Sequence, residues 1–179
     1  PLRGGPTSTL VIPEYVSPAG SNIAEVSFAN VSADYFGALG IRLLHGRAFG
    51  PQDAFNTPPV AIVNEAMARR YWGTSDAVGR RYSHDGVPNS SVEIVGVVKD
   101  VKVASLTEDP RPQFYRPLDQ TGGFVVSYIV RSTGDQRAMA GTLSRVVREV
   151  DSRLPVLQAT TMDDYLTQQL LIPRIGTSI

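Results

Sequence analysis

The sequence predicts an α+β fold, and three observations carry that prediction. Short apolar runs with strand patterning recur between residues 60 and 130, separated by Gly-, Pro- and Asn-bearing turns. One long amphipathic stripe occupies residues 135–150, where Met139, Leu143, Val146, Val147 and Val150 recur at helical spacing. Residues suited to helix ends, Gly40, Asn64, Gly73 and Thr161, bracket shorter helical stretches.

In chain order, the run Thr9-Leu10-Val11-Ile12 stops at Pro13, which lacks an N–H to donate and so predicts an edge strand. A turn at 18–21 follows. Residues 25–31 then read as an extended run with Val26 and Phe28 on one face. Ser32 is placed to cap a short helix, with Asp34 in its first turn, Tyr35, Phe36 and Leu39 on its apolar face, and Gly40 to end it in the left-handed conformation. An apolar run at 41–44, a Gly46-Arg47 turn and a buried-type Phe49 come next.

Pro58-Pro59 breaks the chain before a buried strand at 60–63. Asn64 then caps a helix over 65–72, in which Glu65 reaches Arg69 at i, i+4 and Gly73 supplies the stop. Tyr82 leads into a hairpin loop over 85–91, and Val92, Ile94, Val97 and Val98 form the return strand. Gly96 marks a bulge or a close backbone approach. Residues 113–116 and 124–130 read as further strands, the latter covered on both faces. After the helix at 135–150, Leu154-Pro155-Val156 opens a short strand. Thr161 caps a last helix, with Asp164 three residues on. Strand, helix, strand in that order predicts a βαβ-type unit.

Composition narrows the function. The 179 residues carry 17 basic and 17 acidic side chains, so no global field favours nucleic acid or an anionic membrane. The pairs Arg69-Arg70 and Arg80-Arg81 are too small to make a phosphate site. Cysteine is absent, which excludes disulfides, thiol catalysis and thiolate metal ligation. No apolar run reaches the roughly 18 residues that span a bilayer, and no signal peptide is visible. The Pro-, Gly- and Ser-rich start and the ending LLIPRIGTSI read as the cut edges of an excised soluble domain.

Chemistry-bearing residues are few. Ser83-His84-Asp85 lists the members of a hydrolytic triad, yet three neighbours on one strand cannot hydrogen-bond in series, so His84, beside an Asp-Gly turn, reads as solvent-exposed. His45 has no second histidine at ligand spacing and reads as a surface or partly packed residue. Asp163-Asp164 suits a helix N-terminus, Glu108-Asp109 a solvated turn, and Asp53 a cap or turn. No arrangement of acids and histidines gathers the ligands of a hard cation. Gly4-Gly5 and Gly122-Gly123 are isolated pairs without a phosphate-cradling turn, and Asn30-Val31-Ser32 and Asn89-Ser90-Ser91 match the glycosylation pattern only by chance. Trp72, Tyr82 and Tyr115 read as packing residues, with partner contact the alternative for each. Catalytic, cofactor and metal residues are accordingly expected to be none.

Six blocks carry a family resemblance through their order and spacing: VSADYFGALGIRLLHGRAF (31–49), PPVAIVNEAMARRYWG (58–73), VGRRY (78–82), VEIVGVVKDVK (92–102), PRPQFYRPL (110–118) and VVREVDSRLPVLQATTMDDYL (146–166). The chain resembles the extracytoplasmic core domain of MacB-like and FtsX-like ABC-transporter permeases. The resemblance implies a two-lobed body within one extracytoplasmic domain over residues 1–179. A porter-like βαβ lobe would take residues 1–31 and 118–172, and an inserted, mostly β sabre-like lobe residues 32–117. It also implies that family members start with an earlier strand and helix, whose lack would leave the run at 25–31, or a neighbour, with an open edge.

No enzymatic activity is implied. ATP would bind a separate cytoplasmic subunit or domain, and the domain would couple ATP hydrolysis to mechanical work or export. Its partners would be its own membrane helices, a second permease subunit, the ABC ATPase and a periplasmic adaptor or accessory protein, and not nucleic acid. The alternative is a ligand-sensing or solute-binding extracytoplasmic module, which requires an apolar pocket with convergent polar groups.

Overall fold

The computed structural model describes residues 6–85, 87, 90–101, 110–122, 127–153, 155–156, 159–161 and 164, and of Arg137 only the backbone. The expectations for Gly4-Gly5, Asn89, Glu108-Asp109, residues 124–126, Leu154, Asp163 and the body of the last helix lie outside these residues. The chain divides into two compact units, Pro1–Ile129 and Val130–Ile179.

The first unit is built on seven strands: β1 (Thr7–Val11), β2 (Ile23–Val31), β3 (Leu43–Gly46), β4 (Val60–Asn64), β5 (Arg81–His84), β6 (Val92–Val98) and β7 (Gln113–Pro117). Its helices are α1 (Tyr35–Leu39), α2 (Glu65–Trp72) and α3 (Leu118–Thr121). The strand order is β3-β6-β4-β7-β2-β1-β5, and β5 pairs back onto β6. Six strands therefore close into a ring, with β3 attached outside it. Within the ring, β2 runs parallel to β7 and β4 parallel to β6, and the remaining pairs are antiparallel.

Alternation along each strand sorts the apolar residues onto two faces. Leu10, Ala24, Val26, Ala61, Val63, Tyr82, Val92, Ile94 and Phe114 come from all six strands and form one buried cluster, the filling of the ring. Met67, Ala68 and Tyr71 of α2 join it, so α2, which leaves β4 directly, covers the end of the ring where β4 finishes. The opposite parity, Val31, Val60, Ile62, Val95, Val98 and Tyr115, packs outside against Phe36 of α1 and Phe49.

The end of β4 is held by polar groups. Asn64, 3% exposed, accepts the Met67 N–H at 3.0 Å as the predicted cap. It also accepts the Gln113 N–H at 2.9 Å and donates to the Arg111 carbonyl at 2.8 Å, tying α2 to the start of β7. Asp100 Oδ1 accepts the Ala66 N–H at 2.8 Å, so two side chains serve the helix start. Glu65 takes Arg69 at 2.5 Å, as its spacing predicts, and also Lys99 at 2.9 Å. Gly73 ends α2 at φ 66°.

Several expectations are corrected. β1 is not an edge strand, because Pro13 lies beyond its end and removes no ladder bond; it pairs with both β2 and β5. The run at 25–31 has no open edge, since β2 lies between β1 and β7. Ser32 does not cap α1 through its side chain; its carbonyl accepts the Tyr35 N–H at 3.2 Å, and Asp34 makes no side-chain cap bond. The helix is held instead by buried Phe36 and by Gly40, at φ 68°. Residues 127–130 form no strand; Tyr128 is 80% exposed, so both-face coverage is not met there.

In the second unit, α4 (Gln136–Val150) matches the predicted helix, and Asp135 Oδ1 accepts the Ala138 N–H at 3.3 Å at its start. Of its apolar stripe, Met139, Leu143 and Val147 are half-buried, whereas Val146 and Val150 are exposed. Residues 155–156 are not in a strand, so the βαβ unit is not formed among the described residues. Thr161 Oγ1 accepts the Asp164 N–H at 3.1 Å, the cap read from the sequence.

Two substitutions test this framework. A Cβ at Gly96 would stand 2.4 Å from the Arg47 carbonyl oxygen, so Gly96→Ala should lower unfolding free energy by about 1–3 kcal/mol in urea titrations. Asn64→Ala removes a cap and strands the Gln113 N–H, and should cost about 2–4 kcal/mol by the same measurement. Losses under about 0.5 kcal/mol, the range of ordinary surface changes, would contradict the ring as described.

Candidate functional site

The end of the ring opposite α2 is finished differently. There the inward parity continues past the apolar filling into Ser8 on β1, Phe28 on β2, His84 on β5, Val92 on β6, and Phe114 and Arg116 on β7. With Pro59, Val87 and Ser90 these residues line a cavity of about 400 Å³. Its walls are largely apolar. Phe28 and Phe114 stack at 5.5 Å with their rings 18° apart, a pair set by their direct opposition in the parallel β2–β7 register.

The polar groups converge on His84. Ser8 Oγ and His84 Nδ1 lie 3.0 Å apart, a contact created because β5 pairs with β1. Ser90 Oγ accepts the His84 backbone N–H at 2.8 Å and donates to its carbonyl at 3.2 Å, closing the turn after β5. The His84 ring packs against Tyr82 and Phe114 at 5.8 Å and 6.2 Å. Burial, and then the nearby Arg116 charge, push its pKa below the ordinary histidine value, so the imidazole is neutral at pH 7. Burial raises the Tyr82 phenol well above its usual range.

Three buried side-chain polar atoms have no hydrogen-bond partner among the described residues: Tyr82 Oη, His84 Nε2 and Arg116 Nε. Two of the three residues line this cavity and the third packs on His84. Arg116 is also the one arginine, among those whose side chains are described, that is not exposed, and it has no carboxylate within ion-pair distance among the described residues.

The sequence triplet Ser83-His84-Asp85 is not assembled, and His84, expected to be solvent-exposed, is half-buried because strand parity turns it into the ring. Strand alternation turns Ser83 away from His84, and the partner of the imidazole is Ser8, distant in sequence. His45 stands at the surface, its Nδ1 3.8 Å from Asp76. Trp72 packs partly against the ring filling while its indole N–H reaches Glu14 at 3.3 Å. Tyr115 belongs to the outer cluster, edge-on to Phe36 at 5.0 Å. Among the described residues no group of three or more His, Asp or Glu side chains is arranged to hold a metal.

Asp53, expected to cap or join a turn, joins one and also takes an arginine. It is 3% exposed, accepts the Gly50 N–H at 3.0 Å, and takes Arg47 through two bonds of 2.7 Å and 2.9 Å. This locks the β3–β4 loop against the outside of the ring.

Sequence reasoning passed over Ser8, Phe28 and Arg116. The available signal was parity: Arg116 stands two residues after Phe114, at an inward position of a strand otherwise apolar on that face.

Comparison with known proteins supplies a context. A model of the MacB-like periplasmic core domain matches residues 4–151. Among solved structures, the periplasmic region of MacB from Actinobacillus actinomycetemcomitans aligns at TM-score 0.59 and 14% identity, covering 97% of this chain and 74% of that one. The extracellular domain of the ABC-type transporter YknZ from Gram-positive bacteria aligns at TM-score 0.57 and 15% identity, covering 87% and 77%. At these identities the structural likeness speaks to the fold. No curated protein matches the chain. No helix among the described residues is long and apolar enough to cross a membrane.

The Arg47–Asp53 lock has a pH signature. Burial alone would raise the Asp53 carboxyl, but the Arg47 and Gly50 bonds outweigh it and hold it below its ordinary value of 3.8. A depressed folded value means stabilisation that is full above the unfolded pKa and is lost as pH falls through the folded one. Asp53→Asn should therefore be less stable than the parent chain by about 1–3 kcal/mol at pH 6, with the gap narrowing below pH ~4. A gap that stays constant down to pH ~2 would remove the ionic contribution.

Proposed function

The chain belongs to the family of MacB-like periplasmic core domains, and on that premise we propose that it is a non-catalytic, force-transmitting domain of an ABC-transporter permease. In this reading, ATP hydrolysis on the cytoplasmic side moves the membrane helices of the permease, and the domain tilts against its twin in a second permease subunit. The partners are those helices, that second subunit, the ABC ATPase and a periplasmic adaptor. No cofactor takes part, and no residue is assigned a catalytic or metal-binding role.

The observation that carries the reading is the closure of the ring. A six-stranded ring whose members are each hydrogen-bonded on both sides cannot shear or flatten without breaking ladder bonds. Such a body passes displacement on, whereas an open sheet or a loop-rich body would absorb it. In the two-lobed form of the proposal, residues 1–31 and 118–172 make the porter-like part and residues 32–117 the sabre-like part. The parallel β2–β7 pair then serves as a stiff joint between them.

A second reading, a ligand-sensing module, is favoured by the cavity at the open end of the ring. It places function in occupancy of that cavity, whereas the first places function in rigidity.

The test of the mechanical reading uses the parent transporter in proteoliposomes. A flexible Gly-Ser insertion of about six residues at the exposed turn following α4, near Ser152, should lower transport about tenfold while ATP hydrolysis continues. The same insertion beside Gly20, at a turn where an added Cβ would meet nothing within 4 Å, should leave both activities intact. Transport insensitive to the first insertion would overturn the reading.

A further inference from the structure

We propose that the open mouth of the ring is a binding site for a small monoanion with an apolar body, a carboxylate carried on an aromatic ring or a short branched chain. This goes beyond the mechanical reading and does not depend on it.

Four features of the cavity define the ligand. The first is charge. Arg116 is a half-buried guanidinium with no carboxylate partner among the described residues, whereas Arg47, Arg69, Arg80 and Arg81 are all ion-paired although more exposed. A cation withdrawn from water needs a counter-anion. The Arg116 Nε is enclosed, and among the described residues no hydrogen bond occupies its terminal nitrogens, which leaves them as the charged donors at the cavity.

The second feature is the number of charges. His84 is bonded through Nδ1 to Ser8, and among the described residues no other cationic side chain lines the cavity, so one positive charge calls for one negative charge. A carboxylate accepts the paired donors of a guanidinium side by side, and Ser8 can turn its hydroxyl to a second acceptor. The third is the wall. Phe28, Phe114, Val92, Val87 and Pro59 offer apolar surface and, in the stacked Phe pair, a face for a ring. The fourth is size. About 400 Å³ lies near the lower end of the range for small-molecule sites, which fits a one-ring ligand.

The orphaned atoms strengthen the assignment. Of the three buried unpartnered side-chain atoms among the described residues, two belong to the cavity lining, His84 and Arg116, where an arriving acceptor and small side-chain turns can satisfy them. Ordered water alone would satisfy them too, and the experiment separates the two.

The probe is benzoate, titrated into the isotope-labelled 179-residue chain and followed by amide and side-chain NMR, with thermal unfolding in parallel. Saturable shifts centred on Ser8, Phe28, His84, Phe114 and Arg116 are expected, together with a raised Tm. Benzyl alcohol, of the same shape without the charge, and inorganic phosphate should each bind at least about tenfold more weakly. Arg116→Gln should reduce benzoate affinity about tenfold or more, and Arg116→Lys by less, since it keeps the charge but loses the fork. If Arg116→Gln fails to fold, Ser8→Ala supplies the second variant, with an expected loss of several-fold.

The proposal is overturned if benzoate gives no saturable shift, if the shifts centre elsewhere, or if benzyl alcohol binds as well as benzoate. Failure here would remove the ligand and leave the transport experiment above untouched, because the two readouts share no measurement.

Discussion

Six strands can enclose one core only if the last finds the first, and here closure depends on the four residues of β5. Leu10 and Val11 of β1 stand opposite His84 and Ser83, while Glu93 and Val92 of β6 stand opposite Arg81 and Tyr82. The Asp85 N–H adds one more bond, to the Thr9 carbonyl at 3.0 Å. Because side chains alternate, these few pairs also decide what the ring contains. A slip of one residue would bring Arg81 and Ser83 inside and expel Tyr82, one of the largest fully buried side chains. Closure and the identity of the inner residues are thus one constraint, and His84 enters the interior as a consequence of it.

The two ends of the ring meet the same polar problem with opposite outcomes. Where β4 ends, Asn64 makes three hydrogen bonds, Asp100 serves a second helix N–H, and buried Glu65 is matched by Lys99 and Arg69. That end is a lid in which each polar group named has its partner. At the other end Tyr82, His84 and Arg116 each keep a buried atom without one. A low-dielectric interior makes such groups costly, so their collection at one mouth, rather than scattered through the core, marks that mouth as different in kind.

How much of this was legible in the sequence follows from the range of each interaction. Local chemistry read true: Asn64 and Thr161 as caps, Gly40 and Gly73 as left-handed stops, Gly96 as a close approach to the Arg47 carbonyl. The i, i+4 pair Glu65–Arg69 did as well. Reasoning failed where the deciding partner was distant. Pro13 suggested an edge strand, but an edge is a property of neighbours, and β5, some seventy residues on, supplied the second one. The run at 127–130 has strand composition, yet a strand also needs a ladder, and composition does not carry one. The cavity was illegible for the same reason, since its polar contact joins Ser8 to His84 across the closing pair. Only Arg116 left a trace, as a charge on an inward parity.

The two functional readings meet at the ring's least extensively paired member. β5 is held by two residue pairs on each side, whereas β1 and β2 share five and β2 and β7 share five. The β4–β7 seam also has two pairs, so a load that opens the ring meets the shortest ladders there and on either side of β5. The cavity is lined from β1, β2, β5, β6 and β7, so an occupant there contacts strands on both sides of that seam. A ligand that binds the closed ring and not the opened one stabilises closure by its own binding free energy. A bound anion at the mouth would therefore stiffen the body at its least extensively paired strand.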